Sequence, residues 1–105
     1  MDLDPKKKIY SLLGFAARAR KLVYGKERIR DYMKSDREKK LVVVAEDASE
    51  RLKMDLKMRT SRGTRIIEMF TKEELGKLVG KEEVAAFGIE EDGIIEGIER
   101  VIEGA

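Results

Sequence analysis

Between residues 18 and 30 the chain gathers Arg18, Arg20, Lys21, Lys26, Arg28 and Arg30 around one glycine, Gly25, which stands where a helical repeat begins. Cations in that arrangement suit an anionic ligand. If Gly25 opens a helix, the first amides of that helix point outward without partners. The helix dipole there favours negative charge, and the missing Cβ admits a phosphate or a base edge to the backbone. The same residues also describe an ordinary N-terminal glycine with solvated basic neighbours.

Two further segments carry residues with chemical potential. Thr71 to Gly80, followed by Lys81, Glu82 and Glu83, places Gly76 and Gly80 near a helix end. Glycine inside a helix costs about 1 kcal/mol against alanine, so Gly76 predicts a close backbone approach by another part of the protein. Glu46 and Asp47 follow an apolar run, at the carboxyl end of a strand where α/β sheets place ligands. Two carboxylates make a weak metal site, and no metal is expected. Histidine and cysteine are both absent, which removes the commonest acid/base group near neutral pH, the thiol nucleophile and the usual transition-metal ligands. No Walker or dinucleotide glycine loop occurs. Catalysis and a cofactor are therefore not expected.

These residues must be held by regular elements. Asp4 and Pro5 read as the cap and first residue of a helix carrying Ile9, Leu12, Leu13, Ala16 and Ala17 on one face and running to about Arg20. Leu22 to Tyr24 form a short apolar step. Beyond Gly25, the residues Ile29, Tyr32 and Met33 mark the buried side of a second helix. A charged loop, Ser35 to Lys40, precedes Leu41 to Ala45, whose β-branched run predicts a strand buried on both faces. Ser49 should cap a third helix containing Leu52 and Leu56, with Lys53, Lys57 and Arg59 on its outer surface and Gly63 closing it. Arg65 to Phe70 predicts a strand, Thr71 with Glu74 a capping box, and Gly80 a helix stop. Val84 to Ile89 predicts another strand, and Asp92 should cap a last helix buried through Ile94, Ile95, Ile98, Val101 and Ile102.

Strands separated by helices imply a layered α/β domain, and 105 residues suit one domain, residues 1–105. No run is long and apolar enough for a membrane span and no signal-peptide pattern follows the N-terminal lysines, so a cytoplasmic location is expected. Apolar and charged residues each make up 42% of the chain, which leaves little room for disorder-forming stretches. The net charge of +2 hides a polarity: residues 1–40 carry 13 Lys or Arg against 6 Asp or Glu, and residues 73–105 carry 3 against 10. A basic front half can meet phosphates while an acidic end turns away from them.

In order, Leu12-Leu13-Gly14-Phe15-Ala16, Ala19-Arg20-Lys21-Leu22-Val23, Gly25, Lys40 to Ser49, Thr71 to Gly76 and Val79-Gly80-Lys81 resemble the ribosomal protein superfamily of archaeal large-subunit protein seven-Ae and eukaryal protein thirty-e. The resemblance covers nearly the whole chain. It implies a three-layer α/β/α sandwich around a four-stranded mixed sheet, and recognition of kink-turn RNA. Archaeal members open their second helix with Gly-x-Asn-Glu, followed by a lysine. Here Gly25 matches, whereas Glu27, Arg28 and Asp31 stand at the positions of the Asn, the Glu and the Lys. Lys81, Glu82 and Glu83 replace the apolar triad expected after the second glycine, a pattern more similar to the small bacterial members.

Lys26 and Arg28 supply cationic donors for phosphate or a guanine edge, and Glu27 can accept only from base amino groups. The candidate RNA-contacting set comprises Lys21, Gly25, Lys26, Glu27, Arg28, Arg30, Asp31, Asp47, Ser49, Gly80, Lys81 and Glu82. The expected partner is structured RNA, ribosomal RNA foremost, with ribosomal or translation-factor proteins beside it and no membrane. A competing reading is a protein-interaction module acting through the acidic last helix or through Tyr10, Phe15 and Tyr24.

Overall fold

A computed structural model describes residues 4–104. Asp4 caps the first helix, its Oδ1 accepting from the Lys6 amide at 2.8 Å, and Pro5 supplies the preset φ of the first turn. That helix, α1 (Pro5–Arg18), ends two residues before the expected Arg20. The Arg20 amide returns to Ala17 O and the Lys21 amide to Ala16 O, with Arg20 at φ +58°, so a left-handed arginine turns the chain into the strand that follows.

The remaining elements are β1 (Leu22–Val23), α2 (Lys26–Lys34), β2 (Lys40–Val44), α3 (Glu50–Met58), β3 (Thr64–Glu68), α4 (Lys72–Lys77), β4 (Ala86–Ile89) and α5 (Asp92–Ile102). The strands form one mixed sheet in the order β1-β4-β2-β3, with β4 antiparallel to both neighbours and β2 parallel to β3. From β1 to β2 and from β2 to β3 the chain moves the same way across the sheet between parallel strands. Right-handed crossovers therefore place α2 and α3 on one face. On the other, α1 packs against α5, with Leu12 against Gly97, and the Tyr10 hydroxyl donates to Glu74 O of α4 at 2.7 Å. The result is the expected three-layer sandwich around a four-stranded mixed sheet.

All five β2 residues are buried, as its apolar run predicts. Lys40, expected in the preceding loop, is the first of them: it is 4% exposed, and its Nζ donates to Met33 O near the end of α2 at 2.7 Å. A cation at a helix C-terminus meets both the orphan carbonyl and the negative end of the dipole, which offsets its burial. Gly88 of β4 leaves room for the Tyr32 ring, which an added Cβ would meet at 2.8 Å. The Tyr32 hydroxyl accepts from the Leu41 amide at 3.0 Å and donates to Ile89 O, bridging the two strands one step beyond their Val42–Gly88 pair.

Several expected boundaries move. The chain leaves α3 at Met58, and Gly63, at φ +85°, instead closes the turn against the Glu38 carbonyl, which an added Cβ would strike at 2.2 Å. Strand β3 stops at Glu68 because Phe70 adopts φ +70°, turning its carbonyl to the Glu46 amide at 2.8 Å and its ring onto Tyr10. Val84 and Ala85 precede β4, since the Val84 amide is drawn to Lys72 O. Glu91, not Asp92, caps α5: its longer side chain reaches the Gly93 amide at 2.9 Å, while Asp92 accepts from Arg37 at 2.7 Å. Lys53, expected on the outer surface of α3, reaches Glu46 O at 2.7 Å and Glu68 at 3.1 Å, and so ties α3 to its neighbours.

Candidate nucleic-acid interface

Strands β1, β2 and β3 run together, so the segments leaving them, which become the N-termini of α2, α3 and α4, share one edge of the sheet with the loop that enters β4. Ser49 Oγ accepts from the Leu52 amide at 3.1 Å. Thr71 and Glu74 complete the predicted capping box, at 3.1 and 2.9 Å. Asp47 Oδ1 accepts from the Lys72 amide at 2.8 Å, so a residue of the β2–α3 loop serves the start of α4. Helix α2 differs. Gly25 has φ +99° and ψ 144°, a conformation open to glycine for backbone reasons alone, since an added Cβ would meet nothing, and no side chain caps the helix.

Beside that uncapped end, α2, α3 and residues 83–86 enclose an open cleft of about 730 Å³. Tyr24, Ile29, Leu52, Leu56, Val84 and Ala86 supply its apolar surface. Four cations, Lys26, Arg30, Arg51 and Arg59, face two carboxylates, Asp55 and Glu83. Both carboxylates are engaged, Asp55 by Arg59 at 3.1 Å and Glu83 by Lys72 at 3.4 Å. Among the described residues, no ion pair involves Lys26, Arg28, Arg30 or Arg51. Arg30 Nε is buried and lacks a partner. The Arg59 hydrogen bond, with the nearby charges of Arg30 and Lys26, holds the Asp55 carboxyl below its ordinary range, against a smaller opposing effect of desolvation.

A second hollow, of about 530 Å³, is lined by Asp47, Glu73, Lys77, Lys81, Glu82 and Glu83, and Glu83 borders both. It exists because the loop after α4 folds back on that helix: the Lys81 amide donates to Gly76 O at 2.9 Å, and a Cβ on Gly76 would stand 2.6 Å from Lys81 O. The close approach expected at Gly76 is thus made by its own loop. Gly80, at φ +71°, sits in the exposed turn between.

Of the residues singled out in the sequence, the cleft brings together Gly25, Lys26, Arg30 and Ser49, and the second hollow Asp47, Lys81 and Glu82. Glu27, Arg28 and Asp31 lie exposed on α2 and line neither. Lys21 lies at the far end of β1, where its carbonyl accepts from the Glu90 amide at 2.8 Å. The α3 wall, with Arg51, Asp55 and Arg59, escaped the sequence reading, which assigned Arg59 to an outer surface. Their i, i+4, i+8 spacing is the signal that places them on one helix face.

The fold and this edge define a class: a three-layer α/β/α domain presenting unpaired cations around one bare helix N-terminus. Residues 7–98 match the Ribosomal protein L7Ae/L30e/S12e/Gadd45 family, and the chain belongs to it. The RNA-binding protein YlxQ of Enterococcus faecium is 33% identical over 105 residues, covering 99% of this chain and all of that protein. Among solved structures, a protein with unknown function from Bacillus halodurans C superposes with a TM-score of 0.78 at 27% identity, covering 91% of this chain and 97% of that one. The Giardia lamblia 15.5kD RNA binding protein superposes with a TM-score of 0.77 at 14% identity, over 99% and 89% of the two chains, and shares the fold.

Proposed function

We propose that this chain binds structured RNA, bulged or kink-turn-like, through the N-terminus of α2 and the loops beside it, within the ribosome or a translation complex and without catalysing a reaction. The observation that carries this reading is the set of unpaired cations, Lys26, Arg28, Arg30 and Arg51, beside helix amides that no side chain caps. The name of the Enterococcus relative supports it. Lys21 then acts from outside the main contact, and Asp47 and Ser49 act first by shaping the edge.

Titrating kink-turn, bulged and ribosomal RNA fragments at several salt concentrations tests the reading. Three or four neutralised phosphates give a slope of log affinity against log salt of about −2 to −3.5. Reversing Lys26 and Arg28 together to Glu should abolish binding; unchanged affinity for every structured RNA would reject the interface.

A protein-binding reading draws on the acidic last helix and, of its three aromatic residues, on one that is well exposed. Phe15 is 57% exposed with Arg18 over its ring at 4.9 Å, whereas Tyr10 packs on Phe70 and Tyr24 on Phe87. Copurification that survives ribonuclease favours that reading, and loss on ribonuclease treatment favours RNA.

A further inference from the structure

We propose that the cleft between α2 and α3 receives an unstacked guanine nucleotide, with Asp55 reading the base. Its volume of about 730 Å³ lies within the range of small-ligand sites, and its lining combines apolar side chains with Tyr24 and three arginines. An aromatic or guanidinium plane stacks on any base; selection needs a hydrogen-bonding group. Asp55 is the one acidic side chain that α3 contributes to the lining, and Arg59 binds its Oδ2 through Nε at 3.1 Å, fixing the carboxylate from one side.

A carboxylate only accepts hydrogen bonds. Guanine alone among the four RNA bases presents two adjacent donors, N1–H and the 2-amino group, on its Watson–Crick edge. Adenine and cytosine each offer one amino donor beside a ring-nitrogen acceptor that repels the carboxylate, and uracil offers one N–H between two carbonyls. The negative phosphate of the same nucleotide meets the opposite sign: Lys26 and Arg51, both unpaired, stand on the lining with Gly25. Arg30, whose Nε is shielded from water without a partner, gains an acceptor when a nucleotide enters.

The guanine can arrive as a free nucleotide or as a residue splayed from RNA, and only the second source rests on the RNA-binding reading. Guanosine, adenosine, cytidine and uridine monophosphates are titrated into the full chain and followed by amide chemical shifts. The expected result is a preference of about tenfold for the guanosine nucleotide, the size of one bidentate base contact, with shifts confined to residues 24–30, 51–59 and 83–86. Asp55→Asn should erase the preference; Asp36→Asn, outside the cleft, should not. Equal affinity for all four nucleotides, shifts located elsewhere, or a guanine preference that survives Asp55→Asn would each overturn the proposal, and the shift map on the unmodified chain decides even if the variant folds poorly.

An RNA carrying one bulged guanosine, compared with the same RNA carrying a bulged adenosine, separates the sources. Displacement of the guanosine nucleotide by the first RNA alone identifies an RNA residue as occupant, and displacement by neither identifies a free nucleotide. Failure of the RNA reading shows instead as RNA affinity indifferent to Lys26→Glu with Arg28→Glu, a result the nucleotide titration does not depend on.

Discussion

Tyr32 shows how one side chain can close a sheet. Its hydroxyl stands between the Leu41 amide and the Ile89 carbonyl, and Gly88 vacates the volume its ring needs. Tyr32→Phe leaves both backbone groups without that partner in a buried setting, and the expected loss is about 1–3 kcal/mol in urea denaturation. Burial, the largest effect on the Tyr32 phenol, raises its folded-state pKa above the ordinary value of 10.0. Its contribution is therefore fully present below pH 10 and is lost as pH rises through the folded-state value. Alkaline unfolding monitored with Tyr32→Phe should lack this component. Gly25 is the other decisive residue. Alanine there would hold φ near +99° at a cost of about 1–3 kcal/mol or rotate the first turn of α2, so Gly25→Ala should lower both stability and RNA affinity.

At the scale of the element, the ends of helices carry most of the information. Asp4, Ser49 and the Thr71–Glu74 box cap their helices as residue type and spacing predict, because capping is settled within four residues. The end of α1 is settled by less obvious means. Arg20 occupies the left-handed position that glycine favours, at φ +58°. Arg20→Gly should raise stability by about 1 kcal/mol, or 4–8 °C in melting temperature for a domain of this size, as calorimetry can measure. Helix α4 depends on Gly76 in the opposite sense. Gly76→Ala drives a methyl into the backbone of Lys81 and Glu82, so the loop must move and the second hollow must change shape; altered amide shifts at residues 80–85 are the expected signature.

Across the whole molecule the acidic C-terminal third divides between the two edges of the sheet, with Glu73, Glu82 and Glu83 bordering the second hollow beside the cationic cleft. Lys26, Arg30 and Arg51 line the cleft at the edge where β1, β2 and β3 end, whereas β4 runs the other way and delivers Glu90, Glu91 and Asp92 to the opposite edge. There the carboxylates of α5 pair with Arg37 and Lys39, at 2.7 to 3.6 Å, across a loop that contributes nothing to the cleft. Replacing Glu96 and Glu99 together by Gln should therefore leave RNA affinity unchanged and, because exposed pairs contribute little, leave stability nearly unaltered, both checked by titration and thermal melting. Among the described residues, no helix is long and apolar enough to cross a membrane.

Local patterns in the chain were enough for the order of the elements, the buried β2 run, most caps, and the placing of Gly25 at the head of a cationic helix. Each of these depends on residues within a turn or a strand of one another, where periodicity and capping operate. Long-range pairing alone decided the rest. The strand order β1-β4-β2-β3 brought Arg51, Asp55 and Arg59 opposite Lys26 and Arg30, and the two-residue β1 carried Lys21 to the far side. Contacts between distant segments set the left-handed turn at Phe70 and the exchange of cap between Asp92 and Glu91. Such outcomes depend on which surfaces meet, and residue spacing does not record the meeting of residues that lie far apart in the chain.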